Sequence, residues 1–301
     1  MRSIPAATQI DRPSTTRTDS MRYSLKERAQ GLLRSTGLYH RIKLSLLYDL
    51  YWRITDRKLI DNRNAETEFY RKTLVGLKKG GLVFDIGANT GYKTNIFLRL
   101  GAQVVAVEPD KLNQEILRQS FLNYRPIRKP VAIIGKAVSD KIGLNVMWIH
   151  EPGSAINTLN PKWVQTLKTD ETRFGTILEF DSKVEVETTT LEELVRLHGR
   201  PFYIKIDVEG HEASVLKGLR SIVPFVSFEV NLPQFQPEAF RCIESLENLA
   251  PGGHFNYTAD VLRGLAFEPW LSRAAFVDTF SKCEENSVEV FWRAPAYTEL
   301  R

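Results

Sequence analysis

Asp207, Glu209, His211 and Glu212 fall within six residues of a 301-residue chain, directly after Phe202-Tyr203-Ile204-Lys205-Ile206, a run that is apolar except for Lys205. Three carboxyls and an imidazole at the end of one buried strand can take a proton from a weak acid such as an alcohol, which does not ionise unaided at neutral pH. Asp207 and Glu209 follow the strand most directly, and His211 has the intrinsic pKa closest to neutrality. These three are the candidate catalytic residues. Glu212 would open the next helix, where negative charge suits the helix dipole. Asp207 with Glu229 and Asn231, at the end of the following strand, could also offer three oxygen ligands to Mg²⁺.

A second cluster lies at Val83-Phe84-Asp85-Ile86-Gly87-Ala88-Asn89-Thr90-Gly91, a buried-strand pattern running into a glycine-containing turn. Ligands of open α/β sheets settle at the carboxyl ends of strands, so this turn is a candidate cofactor loop. Gly87 and Gly91 permit backbone angles and close approach that a side chain would forbid. Asn89 stands where a dinucleotide fingerprint has glycine, which weakens the case for a pyrophosphate on the helix N-terminus. Glu108, in Val107-Glu108-Pro109, lies about 20 residues beyond the turn, as an acid that accepts both hydroxyl protons of an adenosine ribose should. Asp85 would meet a cofactor ammonium or orient the loop. A glycine turn and a ribose acid without a phosphate fingerprint fit S-adenosylmethionine better than NAD. An NAD-dependent oxidoreductase and a non-catalytic adaptor of the same fold are the alternatives.

Such positions need a sheet to hold them. Strands are predicted over 82–86, 103–107, 131–138, 202–207, 222–230, 255–258 and 288–292, with helices over 92–100, 110–123, 190–198, 211–219 and 238–249. This is the alternation of a doubly wound, mostly parallel α/β sheet of seven strands. Residues 140–189 interrupt it with two strand-like pieces, 144–149 and 183–188, around a polar stretch long enough to be a lid or a substrate loop. Within it Gly153-Ser154-Ala155 and Trp163 could form an acceptor wall. Upstream, Ile42, Leu46, Leu50 and Ile54 recur every four residues opposite Arg41, Lys43 and Arg53. That basic amphipathic helix would cap the domain or touch a membrane surface through residues 38–58. A further helix is predicted over 65–77. The expected organisation is a tail over 1–24, a basic helical extension over 25–72 and the α/β domain over 73–301.

The net charge of +5 is unevenly spread: residues 1–72 carry +7 and the rest −2. A nucleic-acid-binding core gains no support from it, and no ladder of base-stacking aromatics with interleaved basic residues appears. With 43% apolar and 26% charged residues, the composition is that of a soluble globular protein. No apolar stretch approaches the roughly 20 residues of a membrane span. Residues 1–20 are broken by Arg12, Pro13, Arg17 and Asp19, unlike the apolar core of a secretory signal. Cys242 and Cys283 fall in no metal or redox spacing, so a cytoplasmic location is expected.

From Phe84 to Gly91, at Val107-Glu108-Pro109, at Ala137-Val138-Ser139-Asp140 and at Ile204-Lys205-Ile206-Asp207-Val208-Glu209-Gly210-His211-Glu212, the chain resembles the FkbM-type S-adenosylmethionine-dependent methyltransferases. The glycine loop marks methyltransferases broadly, whereas K-I-D-V-E-G-x-E after a buried strand is more particular; the family usually has a small residue where His211 stands. The resemblance spans residues 80–232. It implies a Rossmann-like class I methyltransferase fold, with Ser139 joining Asp85, Gly87, Asn89, Gly91 and Glu108 at the cofactor. It also implies methyl transfer to a hydroxyl oxygen of a small molecule, such as a sugar or a glycosylated metabolite. An Asp/Asn-Pro-Pro-aromatic motif after position 207 is missing, which argues against amine methylation.

Overall fold

The computed structural model describes residues 57–121 and 130–297. The predicted amphipathic helix and its membrane contact fall almost wholly before Arg57, outside the described residues. The first element is helix α1 (Arg57–Thr73), longer at its start than expected. Next come β1 (Leu82–Ile86), α2 (Tyr92–Arg99), β2 (Gln103–Val107), α3 (Lys111–Ser120) and β3 (Val131–Ile134). The insertion holds β4 (Ala137–Val138), β5 (Gly143–Ile149), α4 (Pro161–Leu167) and β6 (Ser182–Thr189). The remainder is α5 (Leu191–His198), β7 (Tyr203–Ile206), α6 (Glu212–Lys217), β8 (Phe225–Asn231), α7 (Gln236–Leu249), β9 (His254–Thr258), β10 (Leu271–Ser272), α8 (Arg273–Phe280) and β11 (Ser287–Arg293).

The main sheet runs β10-β9-β11-β8-β7-β1-β2-β3. The five strands from β8 to β3 pair in parallel, and β11 enters antiparallel between β8 and β9. Strands such as Leu-Val-Phe-Asp-Ile and Tyr-Ile-Lys-Ile read as near-continuous apolar runs because helices cover both faces of a parallel sheet. On one face Phe69, Tyr70 and Leu74, from α1 and just beyond it, pack with Ile96 and Phe97 of α2 over Val83, Val104 and Tyr203. The boundary expected at residue 73 therefore falls at the end of a helix whose last turn is packed into the domain. The larger core lies on the other face, under α4 to α8.

The fold is the expected α/β class, with two differences. The main sheet has eight strands, the extra one being the two-residue β10. The single strand expected over 131–138 is broken: β3 stays in the main sheet, while β4 joins β6 and β5 in a separate three-stranded sheet. The break falls at Gly135, where a Cβ would stand 2.5 Å from Gln114 Oε1 on α3. Among the described residues no helix is long and apolar enough to cross a membrane.

Candidate active site

The loop after β1 is shaped by protein contacts. Gly87 has φ +81, and a Cβ there would lie 1.7 Å from the Asp207 carbonyl oxygen. Gly91 has φ +90, and its Cβ would meet the Phe121 ring at 2.5 Å. Only glycine fits such approaches. All five N–H groups from Gly87 to Gly91 are already engaged. Those of Gly87 and Ala88 donate to the Val107 carbonyl at 2.9 and 3.1 Å, and that of Gly91 donates to the Ala88 carbonyl at 2.9 Å. Asn89 N–H donates to Glu108 Oε2 at 2.8 Å, and Thr90 N–H to Asn89 Oδ1 at 2.5 Å. A pyrophosphate is held by free N–H donors, and this turn has none to offer.

Glu108 is buried, with Oε1 accepting the Asp110 N–H at 2.8 Å. Burial pushes its pKa up to about 7, against the pull of the Asp110 and Asn89 N–H groups and of a hydrogen bond from the Asn113 side chain. Of the roughly four lone-pair sites of a carboxylate, one is left to accept a hydroxyl. Gly87, Asn89 and Glu108 line one end of a cleft of about 750 Å³, its mouth included. The insertion supplies the roof, through Met147, Ser154, Ala155 and Asn157 to Leu159. Asp110 ties that roof down: its Oδ1 accepts the Leu112 N–H as the cap of α3, while Oδ2 accepts from Gly153 N at 3.0 Å and Asn157 Nδ2 at 3.2 Å. Asp85, Gly91 and Ser139 do not line the cleft. Asp85 Oδ2 is buried and accepts from Thr94 Oγ1 at 2.5 Å, and Ser139 Oγ lies 3.0 Å from His211 Nε2 behind the lining.

The opposite end of the cleft is built by Asp207, Glu209, His211 and Glu229. All three candidate catalytic residues therefore face one space. Lys205 Nζ donates to Asp207 Oδ2 at 2.7 Å. Burial pushes the Asp207 carboxyl up, but the lysine charge overrides it and holds the acid below its ordinary range. Glu212 is a structural acid: its Oε1 accepts the N–H of Val208 at 3.1 Å and of Gly210 at 3.2 Å. The turn it pins puts Glu209 at φ +53, a left-handed backbone rarely adopted by glutamate. The insertion grips the same turn through Thr158 Oγ1, which donates to the Glu209 carbonyl at 2.8 Å, and through Asn160 Nδ2 on the Gly210 carbonyl. Burial, then the charges of Asp207, Glu229 and Glu212, raise Glu209 well above the carboxylate range. Burial lowers His211, leaving a neutral imidazole.

A second, open cavity of about 900 Å³, its mouth included, adjoins this end. Its walls include Trp163, Asp170, Thr172, Arg173, Gln234, Asn286 and Ser287. Among the described residues, Glu209 and Glu229 alone line both spaces. The acceptor wall expected from residues 153–155 and Trp163 is thus divided: Ser154 and Ala155 roof the first cleft, while Trp163 stands in the second. Trp163 is almost wholly buried, edge-on to Phe235, with the Arg173 guanidinium over its ring at 5.2 Å. Arg173, which the sequence did not single out, donates to Asn231 Oδ1 at 3.0 Å, to the Leu232 carbonyl and to Gln234 Oε1 at 2.6 Å.

Those contacts correct the Mg²⁺ set. Asn231 offers its oxygen to a guanidinium, Asp207 is paired with Lys205, and Glu229 is hydrogen-bonded to Asp207 and to Ser287 Oγ. Among the described residues no group of three His, Cys, Asp or Glu side chains is arranged to hold a metal.

Comparisons with known proteins bear on this site. The FkbM methyltransferase structure from Methylobacillus flagellatus shares 13% identity, with 76% of this chain and 47% of that one covered and a TM-score of 0.48. A putative RNA methyltransferase from Pyrococcus horikoshii shares 16%, covering 77% and 83% at a TM-score of 0.37. A TehB-like SAM-dependent methyltransferase from Corynebacterium glutamicum shares 9%, covering 93% and 100% at 0.37. The chain spans about half the length of the first of these. No curated protein matches it significantly. The family model described as the methyltransferase FkbM domain matches residues 85–260, more than half of the chain and both ends of the cleft. This chain therefore belongs to the FkbM methyltransferase family.

Proposed function

We propose that this methyltransferase moves a methyl group from S-adenosylmethionine to a hydroxyl oxygen of a small, carbohydrate-like molecule, and that it acts in the cytoplasm. The observation that carries the reading is the meeting of two cavities at Glu209 and Glu229. Gly87, Asn89 and Glu108 suit the adenosine half of the cofactor, since a buried carboxylate with a lone pair to spare can accept a ribose hydroxyl. The engaged N–H groups of the loop speak against NAD, whose pyrophosphate would need them. When bound, S-adenosylmethionine supplies an electrophilic methyl carbon whose leaving group is a neutral thioether.

The chain then has to align a hydroxyl and remove its proton. Asp170, Thr172, Gln234, Asn286 and Ser287 give the second cavity a wall of hydroxyl, amide and carboxyl groups suited to a polyol. Glu209, at the boundary, is the candidate base: a buried carboxyl raised by its neighbours is strongly basic once ionised. Asp207 stays ionised beside it and His211 stays neutral. The test is incubation of the purified chain with labelled S-adenosylmethionine and fractionated metabolites, locating the label by mass spectrometry. Label on a carbohydrate oxygen is expected, and Glu209→Gln should abolish it while S-adenosylhomocysteine still binds. Calorimetric binding of NADH with no response to S-adenosylhomocysteine would overturn the proposal.

A further inference from the structure

The geometry points to Glu209 and Glu229 as the counter-charge of the cofactor's sulfonium: the pair gives up one proton when S-adenosylmethionine binds and regains one as the methyl group leaves. This rests on the cofactor reading above and adds a role that the family match does not assign.

The argument begins with position. Glu108 follows β2 and Glu229 lies on β8, and the order β8-β7-β1-β2 separates them by three strand spacings, about 14 Å. With adenosine at Glu108, the rest of the cleft, and so the room for the sulfur end of the cofactor, lies toward the ends of β7 and β8, where Glu209 and Glu229 also border the second cavity.

The charges at that end are nearly all committed. Lys205 and Asp207 cancel as an ion pair. Glu212 holds two backbone N–H groups. From the neighbouring elements, Asp85 of β1 is bound by Thr94, and Lys93 of α2 pairs with Glu66. Glu289 of β11 accepts from Tyr70, Tyr203 and Ser227, and Arg173 of the insertion is spent on Asn231, Leu232 and Gln234. His211 leans on Ser139, beside Asp140. Asp170, in the wall of the second cavity, accepts from Thr172 and Gln234. Glu229, though hydrogen-bonded to Asp207 and Ser287 Oγ, and Glu209 alone among the described residues border both spaces.

A cation entering a partly desolvated pocket needs a compensating anion. The Asp207 charge and burial push Glu229 up to about 8, and burial with the neighbouring acids raises Glu209 well above the carboxylate range, so two acids bordering one space both favour the protonated form in the free protein. Loss of one proton from the pair creates the missing anion. The chemistry then restores it. As the carbon–sulfur bond breaks with its electrons left on sulfur and the carbon–oxygen bond forms, the acceptor's hydroxyl proton passes to the carboxylate. One positive charge and one negative charge vanish together, so the pocket's net charge is unchanged through the transfer.

Calorimetric titration of the full chain in two buffers of different ionisation enthalpy tests this without any acceptor. At pH 6.5 the amino groups of both ligands, titrating near pH 8, are protonated. S-adenosylmethionine should release about one proton more per chain than S-adenosylhomocysteine. In the Glu209→Gln/Glu229→Gln double variant that difference should vanish, with the preference for S-adenosylmethionine falling roughly tenfold, the worth of one pKa unit. Glu229→Gln alone, which keeps the shape of the side chain, should shrink it. Equal proton release by the wild-type chain, or an undiminished difference in Glu229→Gln, overturns the inference and leaves the cofactor reading standing. Binding of neither ligand overturns both.

Discussion

Lys205 and Asp207 stand on the same side of one strand end, joined Nζ to Oδ2 at 2.7 Å, and the lysine side chain is only 4% exposed. Removing the aspartate's charge strands a buried ammonium. Asp207→Asn should cost about 3 kcal/mol in urea unfolding, the usual penalty for breaking a buried pair. Lys205→Met combined with Asp207→Asn should recover part of it. A double-mutant cycle showing additive losses would mean that the two groups do not support each other.

Gly87→Ala should be among the most damaging small changes in the chain, because its Cβ would press on the Asp207 backbone and cannot be relieved by a side-chain rotation. A loss of about 2–4 kcal/mol is expected, together with weaker cofactor binding. Gly175→Ala is the control: its φ is +71, but nothing lies within 4 Å. It should cost only about 1–2 kcal/mol, the left-handed backbone penalty.

Stability should fall as pH rises from 7 to 8.5. An unfolded glutamate is already ionised throughout that window. In the fold, Glu108 and Glu212 are raised to about 7 and Glu229 to about 8, so the native state binds more protons than the unfolded one. His198, His211 and His254, all lowered by burial, push the other way mainly below pH 7. Thermal melts across the window check the sign, and Glu229→Gln should flatten the slope.

Arg173→Ala should loosen the insertion without unfolding the domain. The guanidinium, with a hydrogen bond from Gln234 Nε2 to Asp170 Oδ2, ties the segment after α4 to the turn that follows β8. Hydrogen exchange should quicken across residues 161–181 and stay unchanged in β1, β2 and β7. Affinity for S-adenosylhomocysteine should hold, since the hydrogen bonds of Arg173 go to Asn231, Leu232 and Gln234 and not to the walls of the first cleft; a parallel loss of that affinity would mean the two spaces are coupled through it.

How much of this could be read in advance depended on how local its cause was. The buried strands β1, β2 and β7 announce themselves as apolar runs ending at glycine or acid. The starts of α3 and α5 carry a local signal in Asp110 and Thr190, whose side chains accept N–H groups two or three residues on. Asn160-Pro161, a cap followed by proline at the first helical position, is an equally local signal for α4, set among polar neighbours. The break at Gly135 was not legible, since its cause is a glutamine side chain on another element. Nor was the inward turn of Asp85, which is decided by the Thr94 hydroxyl. Arg173 and the double exposure of Glu229 exist only once the insertion folds back over β8.

The two oxygens of Asp110 divide their work between a helix and a distant loop. Lifting the loop away from the cleft severs bonds to one oxygen only, while the other goes on capping α3. A wider mouth would leave the helix beside it capped, since the cap uses the other oxygen. Movement of the roof is thereby separated mechanically from the integrity of α3.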